Sequence, residues 1–254
     1  MRNLSKWLVA IAGMLLLTAC QSKSEAKITV AVAANMHYTI KELITVYNQN
    51  HQGKIEVVSG ASGKLTQQIL HGAPFDIFVS ADTHYPQILV EKKATLGTAK
   101  IYANGILVLW SAQKDLLPDK AGEMLANEKV KHIAIANPDT APYGKAALSW
   151  MKARGLYENN AQKIVIGESI SQASQFIASG NAEVGFTAKS IVLSAPMKNS
   201  GKWVELEDYP SIEQAAVLLK HAKSSDEILA KDFYDFLYSD TAKKILKQSG
   251  YLVQ

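Results

Sequence analysis

Ser62 and Lys64 stand in the stretch GASGKLTQQI, residues 60–69, where the apolar run KIEVVS gives way to a helical pattern. Glycine, serine and lysine at such a junction suggest phosphate chemistry. A nucleotide-binding loop needs Gly-x-x-x-x-Gly-Lys followed by Ser or Thr, the first glycine to open the loop and the hydroxyl to ligate magnesium. Here Val58 occupies the first glycine's position and Leu65 that of the hydroxyl, so two requirements fail. A serine-hydrolase elbow, Gly-x-Ser-x-Gly, fails because Lys64 stands where its last glycine belongs. What remains is a helix start with Ser62 at the expected N-cap. Free N–H groups of a first helical turn, with the positive end of the helix dipole, attract anions.

Three further turns have the same character. Asn35 ends an apolar run in VAANMHY, Tyr143 follows Pro142 in NPDTAPYGKAAL, and Ile170 lies between Ser169 and Ser171 in GESISQAS. Pro142 suits the first helical position because its missing N–H would find no partner there. None of the four turns carries a formal charge at its centre. Facing one cleft, they would surround a small anion with amide and hydroxyl dipoles. Hydrogen bonds to charged groups contribute about 1.5–3 kcal/mol each, so roughly six or seven could offset the desolvation of a dianion without a lysine. Lys64 and Lys145 are read as solvated helix residues that raise the local potential.

Catalysis finds little support. The six histidines, His37, His51, His71, His84, His132 and His221, lack the spacing of a zinc site and read as surface or capping residues. No base stands near Ser62 in sequence. The expectation is a binding protein, not an enzyme, with no cofactor and no direct metal ligand.

Short Val- and Ile-rich runs alternating with amphipathic stretches position these turns, the pattern of βα units and mostly parallel sheets. Strands are predicted at 27–33, 54–59, 75–81, 105–111, 132–136, 163–167 and 183–188, with helical patterns at 36–50, 63–72, 85–94, 142–155, 170–180 and 226–250. Ile40, Leu43, Ile44 and Tyr47 form one apolar stripe at helical spacing. Gly72 and Gly155 fall where C-terminal caps would stop helices. A second set of strands opens at GILVLWS, and SIEQAAVLLKH (211–221) gives an extended return, so the chain visits one lobe, then another, and comes back. The expected class is α/β: two lobes, each a mostly parallel or mixed sheet flanked by helices, with the ligand cleft between them. The expected division is 27–107 with 212–254 for the first lobe and 108–211 for the second.

Arg2 and Lys6 precede the apolar run WLVAIAGMLLL, too short for a membrane span but suited to an export signal. The run ends in LTAC, which resembles the lipobox of bacterial lipoproteins. That resemblance implies a signal peptide at 1–19, a lipid on Cys20 and a polar tether at 20–26. Cys20 is the sole cysteine, so no internal disulfide staples the fold. Loss of Arg2 and Lys6 lowers the formal net charge from +4 to +2, a balance that argues against a nucleic-acid binder.

Taken together, ITVAVAAN, SGASGKLTQQI, GAPFDIFVSAD at 72–82, NPDTAPYGKAAL and the closing AKKILKQSGY resemble the molybdate-binding proteins of ABC importers, the ModA family, over essentially the whole mature chain. The resemblance implies a type II periplasmic binding-protein fold and puts the oxyanion against Asn35, Ser62, Tyr143 and the backbone N–H of Ile170. Some members place a further tyrosine where this chain has Ala188; members with asparagine in the first turn tend to supply theirs from the third, as Tyr143 would. It further implies capture of molybdate or tungstate, delivery to an ABC permease and its ATPase, and a monomer on the periplasmic or envelope side, lipid-anchored through Cys20. A cage of fixed radius would favour these anions over the smaller sulfate. The alternatives are the same fold carrying sulfate, phosphate, chromate or a small organic anion, and a lipoprotein sensor without a transporter.

Overall fold

A computed structural model describes residues 26–113, 116 and 121–253. The expected signal at 1–19, Cys20 and the tether up to residue 25 lie outside the described residues. The chain builds two five-stranded sheets. The first contains β1 (Lys27–Ala33), β2 (Lys54–Gly60), β3 (Ile77–Val79), β4 (Lys100–Gly105) and β10 (Ile212–Leu218), in the order β2-β1-β3-β10-β4. The second contains β5 (Leu107–Ser111), β6 (Ile133–Ala136), β7 (Ile164–Gly167), β8 (Val184–Ala188) and β9 (Lys202–Glu205), in the order β7-β6-β8-β5-β9. Both are mixed: β1 runs parallel to β2 and β3, and β6 to β7 and β8, while β10 and β5 run antiparallel to both of their neighbours.

Helices cross over between the parallel strands, and two more close the chain after β10. They are α1 (His37–Tyr47), α2 (Ser62–Leu70), α3 (His84–Glu91), α4 (Ala121–Ala126), α5 (Pro142–Ala153), α6 (Ile170–Ala178), α7 (Lys189–Val192), α8 (Glu227–Phe236) and α9 (Asp240–Gln248). On α1, Ile40, Leu43 and Tyr47 are buried against the first sheet and Ile44 is half-buried, the stripe its spacing called for. Each such side chain taken out of water contributes about 1.5–3 kcal/mol. Leu109, Ile135, Trp150 and Phe186 centre the core of the second lobe. Gly72 (φ 88°) and Gly155 (φ 65°) end α2 and α5 in the left-handed region, as a C-terminal cap requires.

Two readings need correction. The expected strand over 105–111 is divided: Gly105 closes β4 in the first sheet and Leu107 opens β5 in the second, so Ile106 alone joins the lobes there. The expected C-terminal helical stretch is also two helices, because the Ser239 hydroxyl accepts the Ala242 N–H (3.2 Å) and starts α9 afresh. β4, β9, α4 and α7 were not anticipated. β4 and β9 are edge strands, and exposed positions such as Ile101 on β4 obscure the apolar signal of a buried strand.

Candidate anion-binding site

The carboxyl ends of β1, β2, β6 and β7 lead into the four singled-out turns. After β2, Ala61 is the N-cap of α2 in extended conformation (φ −67°, ψ 139°) and Ser62 is the first helical residue. This corrects the expectation that Ser62 caps its helix. Its hydroxyl instead accepts the backbone N–H of Ala81 (3.1 Å), from the loop after β3. A hydroxyl that accepts one bond still has its proton to give.

Asn35 lies in a single 3-10 turn, Ala34–Met36, between β1 and α1, and caps nothing. Its Nδ2 donates to Gln214 Oε1 (2.9 Å) and to the Tyr251 hydroxyl (3.0 Å). Its carbonyl accepts from Ser190 Oγ (2.9 Å) and the Tyr251 hydroxyl (3.1 Å). Asn35 Oδ1 is buried and, among the described residues, has no partner. The side-chain amide is thus committed to the protein, and the donor Asn35 has left for a guest is its backbone N–H, at the start of a turn.

Tyr143 is the second residue of α5, after Pro142, and is fully buried. Its hydroxyl accepts from Gln214 Nε2 (3.0 Å). Burial, reinforced by the neighbouring Tyr251, pushes its pKa well above the ordinary tyrosine value, while donation from Gln214 opposes the rise. The phenol therefore stays neutral and keeps its proton. Ile170 is the first residue of α6, behind Ser169, whose Oγ caps the helix by accepting the Gln172 N–H (3.3 Å). The Ile170 side chain is core, and its N–H sits where a helix has no internal acceptor.

All four residues line one tight cavity of about 10 Å³, two contributed by each lobe. The rest of the wall is Pro142, Gly60 and the small side chains of Ala33, Ala34, Ala61, Ala81 and Ala141, which let the backbone approach a guest closely. Among the described residues no charged side chain lines it. So closely walled a space excludes the drug-sized molecules that pockets of about 300–1,000 Å³ take and leaves room only for a guest of a few atoms in direct contact with its walls. A broader groove of about 380 Å³ opens between α1 and α7, beside Tyr38, Lys41 and Pro196, and its lining includes none of Asn35, Ser62, Tyr143 and Ile170.

Composition and spacing did not reveal the layer behind the cavity. Gln214, fully buried on β10, joins Asn35, Tyr143 and Tyr102, whose hydroxyl donates to Gln214 Oε1 (2.7 Å). Tyr251 stands behind Asn35, its pKa pushed up to about 12 by burial. The available signal was a glutamine at an inward-facing position of IEQAAVL, where strand alternation puts Glu213 outside. Gly105 makes room for this layer: a Cβ there would lie 2.1 Å from the Tyr143 hydroxyl and 2.3 Å from Gln214 Nε2. Ala188 lies in β8, paired with Leu107, and is not part of the cavity wall. Among the histidines, His221 departs from the surface reading, because its Nδ1 meets the buried Asp76 (2.7 Å) well away from the cavity.

Residues 28–252 match the family model of bacterial extracellular solute-binding proteins. The chain belongs to that family. Over 255 residues, 99% of each chain, it is 38% identical to the molybdate-binding protein ModA of Azotobacter vinelandii. Over 230 residues it is 40% identical to the molybdate-binding protein ModA of Rhodobacter capsulatus, covering 90% of this chain and 89% of that one. The solved structure of the Azotobacter vinelandii periplasmic molybdate-binding protein superposes with a TM-score of 0.84 at 33% identity, covering 89% of this chain and 99% of that one. These relatives place the chain in the ModA family, with the two-lobed periplasmic binding-protein fold.

In this solute-binding protein the lobes meet across the cavity. The Gly63 N–H donates to the Thr140 carbonyl (2.9 Å), the Tyr85 hydroxyl to the Asp139 carbonyl (2.9 Å), and Ser171 Oγ to the Ala34 carbonyl (3.1 Å). Lys64, expected to be merely solvated, pairs with Glu168 of the other lobe (2.9 Å), both ends exposed. Lys145 is exposed on α5, as expected.

Proposed function

We propose that this protein captures molybdate, or the similarly shaped tungstate, between its lobes and delivers it to an ABC permease. The observation that carries the proposal is the convergence of Asn35, Ser62, Tyr143 and Ile170, from four separate turns, on one small cavity without a charged side chain. Buried hydroxyls and helix-start N–H groups supply donors whose number and direction suit a tetrahedral dianion. Because the donors are neutral, the guest can leave, as delivery demands. The metal arrives as its oxyanion and needs no protein ligand of its own. Nothing in this chemistry calls for catalysis or a cofactor. We read the chain as a monomer with lobes at 27–107 plus 212–254 and at 108–211, tethered to the envelope by a lipid on Cys20.

Isothermal titration with molybdate, tungstate, sulfate and phosphate tests the cargo. Molybdate and tungstate are expected to bind more tightly than sulfate by about tenfold or more, each tenfold being about 1.4 kcal/mol. Equal affinities would remove the argument from size. One observation favours a second reading, a singly protonated oxyanion such as hydrogen phosphate: the partnerless Asn35 Oδ1 could accept from its O–H. Phosphate binding that strengthens on acidification, with molybdate ignored, would establish that reading in place of the first. For the anchor, replacing Cys20 by serine is expected to release the protein from membranes; retention would overturn it.

A further inference from the structure

Gln214 is the buried polar residue of β10, next to the exposed Glu213 and at a register shift between β10 and β4. A carboxamide has a fixed sense, acceptor at one end and donor at the other. The acceptor end is claimed twice here: Oε1 takes a bond from Asn35 Nδ2 (2.9 Å) and another from the Tyr102 hydroxyl (2.7 Å), the shorter of that hydroxyl's two acceptor contacts, the other being the Ser80 carbonyl (3.1 Å). Burial holds Tyr102 neutral, its pKa well above the ordinary tyrosine value, so its proton persists. The donor end is thereby turned to Tyr143, whose hydroxyl oxygen accepts from Nε2 (3.0 Å). A phenol has one proton, and an oxygen that receives a bond keeps that proton for a different partner. Tyr143 is on the cavity wall; Gln214 is not.

We propose that Gln214 is the positioning residue that sets the donor sense of the anion cage. It commits the Tyr143 proton to the guest, and by holding Asn35 Nδ2 it fixes the turn whose backbone completes the first corner. This rests on reading the cavity as an oxyanion site. Its consequence is specificity for a guest oxygen that can only accept at the Tyr143 corner. Replacing the amide by a carboxylate would reverse the sense, because a carboxylate has no donor and would draw the phenol's proton to itself.

Titration calorimetry with molybdate on Gln214→Glu, Gln214→Met, Tyr143→Phe and both double variants tests this, with the thermal stability of the ligand-free proteins measured alongside. At about pH 8 Gln214→Glu is expected to lose roughly 30-fold or more in affinity and Tyr143→Phe about tenfold or more. The factors should not multiply: Tyr143→Phe should cost less than about threefold once Gln214 is Glu or Met, since the oriented proton is already lost. A protonated glutamic acid regains a donor, so Gln214→Glu should recover affinity relative to wild type between about pH 8 and pH 6. A purely structural glutamine would give no such recovery. Should Gln214→Glu fail to fold, the uncharged Gln214→Met cycle decides alone. Multiplying factors, or wild-type affinity in Gln214→Glu, would overturn the inference while leaving the cargo intact. Wild-type protein that takes up no oxyanion would overturn the functional reading and this inference with it.

Discussion

Ser62 does two things with one hydroxyl. Its lone pair takes the Ala81 N–H, and in the proposed site its proton goes to the guest. Ser62→Ala should therefore show a paired loss. Leaving the Ala81 N–H unsatisfied beside the cavity costs about 1–3 kcal/mol of stability, and removal of the donor lowers molybdate affinity by about tenfold or more. Chemical denaturation and calorimetry measure the two separately; an affinity loss without a stability loss would show that the Ala81 contact is dispensable. The tyrosines make a different statement. Burial raises the pKa of Tyr102, Tyr143 and Tyr251, so all three remain donors through neutral and mildly alkaline solution. In the unfolded chain they release protons near pH 10, where the folded chain still holds them, so the folded state then binds more protons and stability falls with rising pH. The contribution is complete below about pH 10 and, for Tyr251, is lost towards about 12. Denaturation midpoints should be flat in these groups up to about pH 9.5 and drop beyond it. A drop beginning near neutrality would contradict the burial argument.

At the scale of elements, the site is a set of helix starts, and this can be tested one N–H at a time. Ile170 is the first residue of α6, and Ser169 before it is extended (φ −142°, ψ 169°), the backbone that a residue preceding proline prefers. Proline is tolerated at a first helical position because that N–H has no helical partner. Ile170→Pro thus deletes the donor while preserving the helix, and Ile170→Ala removes a similar part of the core while keeping the N–H. The proline variant is expected to bind molybdate about tenfold or more weaker than the alanine variant, with comparable ligand-free stability. Equal affinities would remove Ile170 from the cage. The same level explains what could be read beforehand. β1 and β6 announce themselves as apolar runs because nearly all of their residues are buried, β2 is marked by its β-branched Ile55, Val57 and Val58 although it lies at a sheet edge, and Pro142 and Ser169 mark helix starts by local chemistry. β4 and β9 lie at sheet edges and carry mixed faces, so their sequences lack that signature. Gln214 was illegible for another reason: its partners Asn35, Tyr102 and Tyr143 are 179, 112 and 71 residues away, and folding alone brings them together.

For the whole molecule the question is what holds the lobes together over the cavity. The Lys64–Glu168 pair is the obvious candidate, yet its side chains are 46% and 72% exposed. Exposed pairs contribute about 0–1 kcal/mol, so Lys64→Ala should change affinity by no more than about fivefold, and less at high salt. Gly63 is the stricter contact. Its N–H meets the Thr140 carbonyl at 2.9 Å, and a Cβ in its place would lie 2.9 Å from Tyr85 Cζ and 3.0 Å from Thr140 Cα. The Tyr85 ring is itself tied to the Asp139 carbonyl, and the Thr140 backbone cannot yield unless the second lobe moves. Since Gly63 does not adopt a positive φ, alanine fits the helix and its effect falls on the contact between lobes. Gly63→Ala is therefore expected to hold the lobes apart, weakening molybdate binding by about tenfold or more, because the closed state would have to be formed against a clash. Small-angle scattering should show wild type and Lys64→Ala becoming more compact with molybdate, and Gly63→Ala failing to do so. Compaction and wild-type affinity in Gly63→Ala would mean that the lobes close on their guest without this contact, leaving closure to the guest's own bonds to Ser62, Tyr143 and Ile170.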